Sequence, residues 1–134
     1  MLHFNFSAFP KPNLISSNYN QGILIVEGSY AEIFANKLDK NIKANIAIGG
    51  KDSGKTKIKW NRIEHSRSEG IFVIEGEEKL IIDDNYVCGN NDGIVLVASK
   101  GVVRNNKIKE NLRSGVLTAG ETFAIIENNE IEEN

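Results

Sequence analysis

Residues 49–56 read Gly-Gly-Lys-Asp-Ser-Gly-Lys-Thr and satisfy the spacing G-x-x-x-x-G-K-[ST]. In a phosphate-binding loop of this pattern, which runs from Gly49 through Gly54, backbone amides cradle the phosphates. Lys55 then meets the β- and γ-phosphates and Thr56 holds Mg²⁺. Asp83, at the end of the apolar run 80–82, stands where a further Mg²⁺ ligand would be needed. The pattern requires a helix directly after Thr56. Ile58, Asn61 and Ile63 instead keep a register shared with the rest of the chain. Nucleotide binding at residues 49–56 is therefore an alternative reading, and a polar turn is the simpler one.

Sugar chemistry needs two suitably spaced carboxylates. Asp83 and Asp84 are the adjacent acidic pair that ends a strand, with Asp92 and Arg104 on neighbouring repeats. Successive residues of a strand point to opposite faces, so the expectation is that the two aspartates do not cooperate and form a solvated corner. Two histidines, His3 and His65, are too few and too isolated in sequence to predict a metal site. The single cysteine, Cys88, excludes an internal disulfide and a cysteine-rich zinc site, and it reads as packed rather than nucleophilic. No cofactor is expected.

What must position these residues is a single domain. The chain has 134 residues, 40% hydrophobic and 25% charged, a composition that excludes a disordered or collagen-like chain. A net charge of −2 removes the electrostatic reason to expect nucleic acid as a partner. No segment reads as a signal peptide or as a membrane span, so the expectation is an intracellular, cytoplasmic or cytoskeletal location with no membrane partner.

The chain repeats. An asparagine flanked by apolar residues recurs at Asn13, Asn36, Asn61, Asn85, Asn106 and Asn129, at intervals of 23, 25, 24, 21 and 23. Five residues on, a second polar mark stands at Asn18, Asn41, Ser66, Asn90, Asn111 and Asn134. Between repeats lies glycine followed by a β-branched residue, at Gly22, Gly70, Gly93 and Gly115, with Asn45-Ile46 in the remaining coil. This period, with glycine and β-branched residues inside each unit, predicts an all-β fold: a single-stranded parallel β-helix of about five coils. Three short strands per coil are expected, for example over 22–26, 31–34 and 37–38, and again over 70–74, 79–82 and 86–87. Asparagine is assigned to the corners because it tolerates a left-handed backbone and can hydrogen-bond from coil to coil. Residues 30–48 also carry helical spacing, with Phe34, Leu38, Ile42 and Ile46 four apart, but Asn36 and Asn41 hold the common register and favour strands.

Asn61-Arg62-Ile63 with Gly70-Ile71-Phe72-Val73, then Gly93-Ile94-Val95-Leu96 with Asn106-Lys107-Ile108, resemble the parallel β-helix repeats of the carbohydrate-binding and sugar-hydrolysis type. Most closely they resemble the right-handed β-helix region of substrate-recognition F-box proteins and of the related Shc-binding spindle and midbody proteins. The resemblance covers about residues 13–134. It implies a right-handed solenoid and, in the F-box proteins, protein recognition; the sugar-active relatives imply a glycan as the alternative partner. No F-box segment, capping helix or closing segment is read here, so residues 1–134 are expected to be part of a longer solenoid or one capped by partners.

Strand alternation supplies the functional expectation. With Ile23, Ile46, Ile71, Ile94 and Val116 inward, Leu24, Ala47, Phe72, Val95 and Leu117 face outward, and Val26, Ile74, Val97 and Ala119 form the next outward column. Columns this apolar predict a protein partner, with Leu24, Phe72, Ile74, Val95, Val97 and Leu117 as the contact residues and Glu27 and Glu75 as an acidic rim. Leu2, Phe4 and Phe6 alternate with polar residues as a further strand before Pro10 and Pro12, and the edges at both ends of the rod are the second candidate interface. The chain is thus read as a non-enzymatic binding or structural scaffold, with polysaccharide binding or cleavage on a sheet face as the other alternative.

Overall fold

A computed structural model describes residues 11–50, 53 and 55–134. The first coils contain β1 (Leu14–Ser16), β2 (Ile23–Ile25), β3 (Glu32–Phe34), β4 (Lys37–Asp39), β5 (Ile46–Ile48) and β6 (Lys57–Lys59). Then come β7 (Arg62–Glu64), β8 (Glu69–Ile74), β9 (Ile81–Asp83), β10 (Tyr86–Cys88) and β11 (Asp92–Val97). The last are β12 (Val102–Arg104), β13 (Lys107–Lys109), β14 (Ser114–Ala119), β15 (Ile125–Glu127) and β16 (Glu130–Glu132). Every third strand stacks in parallel on its predecessor, which makes three sheets: A (β1-β4-β7-β10-β13-β16), B (β2-β5-β8-β11-β14) and C (β3-β6-β9-β12-β15). Residues 30–48 are strands and turns, as the asparagine register requires and their helical spacing does not.

The strands are short because the chain must turn three times per coil while keeping its backbone paired. Inward positions stack like on like: Leu38, Ile63, Val87 and Ile108 in sheet A, Ile46, Ile71 and Ile94 in B, and Ile58, Ile82 and Val103 in C. All of these are shut off from solvent. β-Branched side chains suit these columns because they pack well on a pleated surface with few rotamers to lose.

Two of the three corners carry amide ladders. The Asn61 side chain accepts from the Asn36 backbone N–H at 2.9 Å and from its Nδ2 at 3.2 Å. It donates in turn to Asn85 Oδ1 at 3.0 Å and to the Ile33 carbonyl at 2.7 Å. Asn85, Asn106 and Asn129 continue the chain of bonds. The expectation that these asparagines adopt the left-handed backbone is corrected. From the second coil on, the residue before the ladder side chain does so on the first ladder, at Ala35, Trp60, Asp84, Asn105 and Asn128. On the second ladder the residue before each asparagine or Ser66 does so, at Ser17, Lys40, His65, Gly89, Glu110 and Glu133. The bend thus precedes the asparagine and swings its amide into the interior, where the stacked backbone has donors and acceptors to satisfy.

The third corner is built from hydroxyls. Thr56 Oγ1 accepts from the Ala31 N–H, Ser99 Oγ from Gly76 and Thr122 Oγ1 from Ser99.

Candidate functional site

Sheet B presents the apolar face that the alternation predicts. Its register places Leu24, Ala47, Phe72, Val95 and Leu117 in one column, and Ile74, Val97 and Ala119 in the next. The inward neighbours Ile71, Val73, Ile94 and Leu96 belong to the core cluster, so these columns are on the opposite side of the sheet. Accessibility is uneven along the column. Leu24 is 53% and Leu117 37% exposed, Phe72 is half-buried, and Val26 and Ile74 are exposed. Val95 and Ala47 are only 5% and 6% exposed. Val95, expected as a contact residue, is buried although it faces outward, with the larger outward side chains of Phe72 and Leu117 on the two adjoining strands. Glu27 and Glu75 are exposed just past β2 and β8, where an acidic rim was expected. Leu2, Phe4, Phe6 and Pro10 lie outside the described residues, as does His3.

At the corner between sheets C and A, the structure overturns the reading of Asp83 and Asp84. Asp84 is left-handed, with φ 55°, so the alternation of the strand ends at Asp83 and the two side chains meet. Asp83 is almost fully buried; it accepts from Asn105 Nδ2 at 3.0 Å and Arg104 Nε at 3.2 Å, with Lys59 Nζ at 3.7 Å. Burial alone would push its carboxyl up, but the hydrogen bonds from Asn105 and Arg104 and the charges of Arg104 and Lys59 outweigh that and hold it below 3.8. Burial, the adjacent Asp83 charge and a hydrogen bond to Asp83 push Asp84 the other way. Lys59 Nζ also lies 4.4 Å from the centre of the Trp60 ring, against which Phe34 packs edge-on at 5.8 Å. Asp92 takes no part. It lies at the start of β11 in sheet B, with Arg113 3.8 Å away.

The helix that a nucleotide loop requires after Thr56 is not formed, because β6 begins at Lys57. Thr56 is buried, and its Oγ1 donates to the Ser53 carbonyl as Thr122 Oγ1 donates to Ala119, three residues back in each case. It is a corner hydroxyl. The Gly49 N–H is taken by the Ile25 carbonyl, Asp83 by Arg104, and Gly54 lies outside the described residues. Lys55 is exposed and lines a hollow of about 370 Å³ with Glu77, Glu78, Lys79 and Lys100.

On sheet A, Cys88 is buried, its thiol pushed up by burial, and Sγ lies 3.6 Å from Glu110 Oε2. Burial also pushes the neighbouring Tyr86 hydroxyl up to about 12. His65, read as isolated, has Asp39 Oδ1 at 2.8 Å from its Nδ1 and Glu64 beside it. No sequence signal joins Asp39 to His65, since 26 residues separate them; only the coil register does.

The sequence profile of a family described as a right-handed β-helix region matches residues 8–134. No curated protein and no solved structure matches the chain.

Proposed function

The chain belongs to the right-handed β-helix family, a fold that does not by itself fix function, and we propose from its surface that it is a non-enzymatic scaffold that seats a protein partner on the outer face of sheet B. One observation carries this reading. The outward column Leu24-Ala47-Phe72-Val95-Leu117 contains no polar or charged side chain over five stacked strands, and neither does the column Ile74-Val97-Ala119 beside it over three. Water at such a face is displaced favourably, at roughly 25 cal/mol per Å² of apolar surface removed. The exposed Glu27 and Glu75 border the face, so the partner is a protein surface with an apolar centre and Lys or Arg beside it.

The test places a photo-crosslinking amino acid at Leu117 or, as a control, at Lys107 on sheet A, and identifies what each captures in cells. A partner crosslinked from 117 and not from 107, and lost on Phe72→Asp with the β-rich circular dichroism unchanged, is the expected result. Equal capture from both positions, or capture indifferent to Phe72→Asp and to Glu75→Lys, removes sheet B from consideration.

The charged corner supports a second reading, polysaccharide binding. The half-buried Trp60 ring lies at this corner with Asp84, Arg104 and Lys59, an aromatic side chain beside groups that can hydrogen-bond to hydroxyls. Hydrolysis has less support, since Asp83, one of the two carboxylates it would need, is buried and bonded to Asn105 and Arg104. Glycan-array binding that is lost on Trp60→Ala would favour this reading over a protein partner.

A further inference from the structure

Sheet A carries a group of side chains that neither reading uses. Asp39 and Glu64 are register partners on β4 and β7, so two carboxylates sit one above the other on adjacent strands. Like charges placed directly across a strand pair repel. Glu64 is buried, and Arg62 Nε holds its Oε1 at 2.6 Å, one of the carboxylate's two oxygens. His65 follows Glu64 in the left-handed backbone, φ 53°, which turns its ring along the stack and brings Nδ1 to 2.8 Å from Asp39 Oδ1. The ring lies against Gly89, the matching corner residue of the next coil. A Cβ at Gly89 would come within 2.7 Å of His65 Cδ2, so glycine there gives the imidazole its seat. One ligand atom from each of Asp39, Glu64 and His65 lies within 4.8 Å of the others.

We propose that Asp39, Glu64 and His65 form a binding site for a divalent first-row transition ion, with Zn²⁺ as the probe, that pins β4 to β7. One imidazole nitrogen with two carboxylate oxygens suits such an ion, whereas Ca²⁺ and Mg²⁺ favour all-oxygen sets. The ion sits between His65 Nδ1 and Asp39 Oδ1 in place of the hydrogen bond that joins them, and its charge offsets the stacked carboxylates. The corner conformation and the ring's seat on Gly89 hold the donors in position before any ion arrives, as a site of this kind requires.

The experiment is calorimetric titration of Zn²⁺ into EDTA-treated protein, with Co²⁺ absorption as a second reading of imidazole ligation. One ion per chain is expected. His65→Ala and Asp39→Asn should each weaken binding by about tenfold or more, with far-UV circular dichroism unchanged; His65→Gln serves if the alanine variant fails to fold. Excess Ca²⁺ should not displace the bound ion. Absence of saturable uptake, equal affinity in the His65 and Asp39 variants, or ready displacement by Ca²⁺ would overturn the assignment.

Discussion

Asp84 has a φ of 55°, which ends the strand alternation at Asp83 and leaves its carboxyl under the influence of the Asp83 charge. Two carboxylates in contact do not both ionise easily, and here the cations Arg104 and Lys59 and the amide of Asn105 favour the charge on Asp83. The pH consequences have opposite signs. Asp83, held below its ordinary 3.8, contributes stability that is present above 3.8 and lost as pH falls through its folded value. Asp84, raised above 3.8, is favoured neutral in the fold, so it costs stability that appears as pH rises through its folded value and is absent below 3.8. Asp84→Asn should therefore raise the thermal midpoint by a few degrees more at pH 7 than at pH 3. Asparagine's tolerance of the left-handed backbone adds a gain that does not vary with pH. Midpoints that shift equally at both pH values would show that the two carboxyls do not interact. Sequence reasoning missed this pair because alternation describes a strand, and the strand ends one residue earlier than the acidic run.

At the scale of the element, the two departures from the repeat explain each other. The third coil has Ser66 where the second ladder has asparagine, and the coil before it has Asn45 where the others have glycine. A Cβ on Gly70 would lie 2.7 Å from the Gly93 carbonyl and 2.8 Å from Asn90 Nδ2. One on Gly22 would lie 2.6 Å from the Asn45 carbonyl and 2.8 Å from Asn41 Nδ2, so an asparagine in the coil above is one of two contacts that exclude a side chain there. Above Asn45 stands only Ser66. The Asn45 amide fills the space: its Oδ1 accepts from Asn41 Nδ2 at 2.6 Å, and its Nδ2 donates to the Glu64 carbonyl and to Asn90 Oδ1 at 2.9 and 3.2 Å. The ladder is thereby closed by a side chain from the coil below. Ser66→Asn alone should overpack the corner and cost about 1–3 kcal/mol, and Asn45→Gly alone should leave buried amides unpaired at a similar cost. The double variant should recover most of both losses, a coupling readable by urea denaturation. Additive losses would mean that the two positions do not share the ladder. Both departures were visible in the sequence, but nothing in one dimension shows that positions 21 residues apart occupy one space.

At the scale of the whole molecule, stacking decides which outward side chains meet solvent. Phe72 and Val95 are register partners on β8 and β11 and face the same way, yet Phe72 is half-buried while Val95 is covered. Val95→Asp should accordingly destabilise the fold by about 3 kcal/mol or more, the cost of an uncompensated buried charge, whereas Phe72→Asp should leave unfolding by denaturant much less affected. Equal losses at the two sites would show that the face is covered evenly. The amino-acid sequence alone determined the coil period, the inward columns, the corner asparagines and the apolar character of sheet B, because each follows from spacing along the chain repeated five or six times. Only the tertiary structure decided which residue of each corner bends, that Thr56 is a corner hydroxyl, that Asp83 meets Asp84, and that Asp39 meets His65. Those contacts depend on a torsion at one residue and on the height of one coil above another, and neither quantity is written in the pattern of residue types.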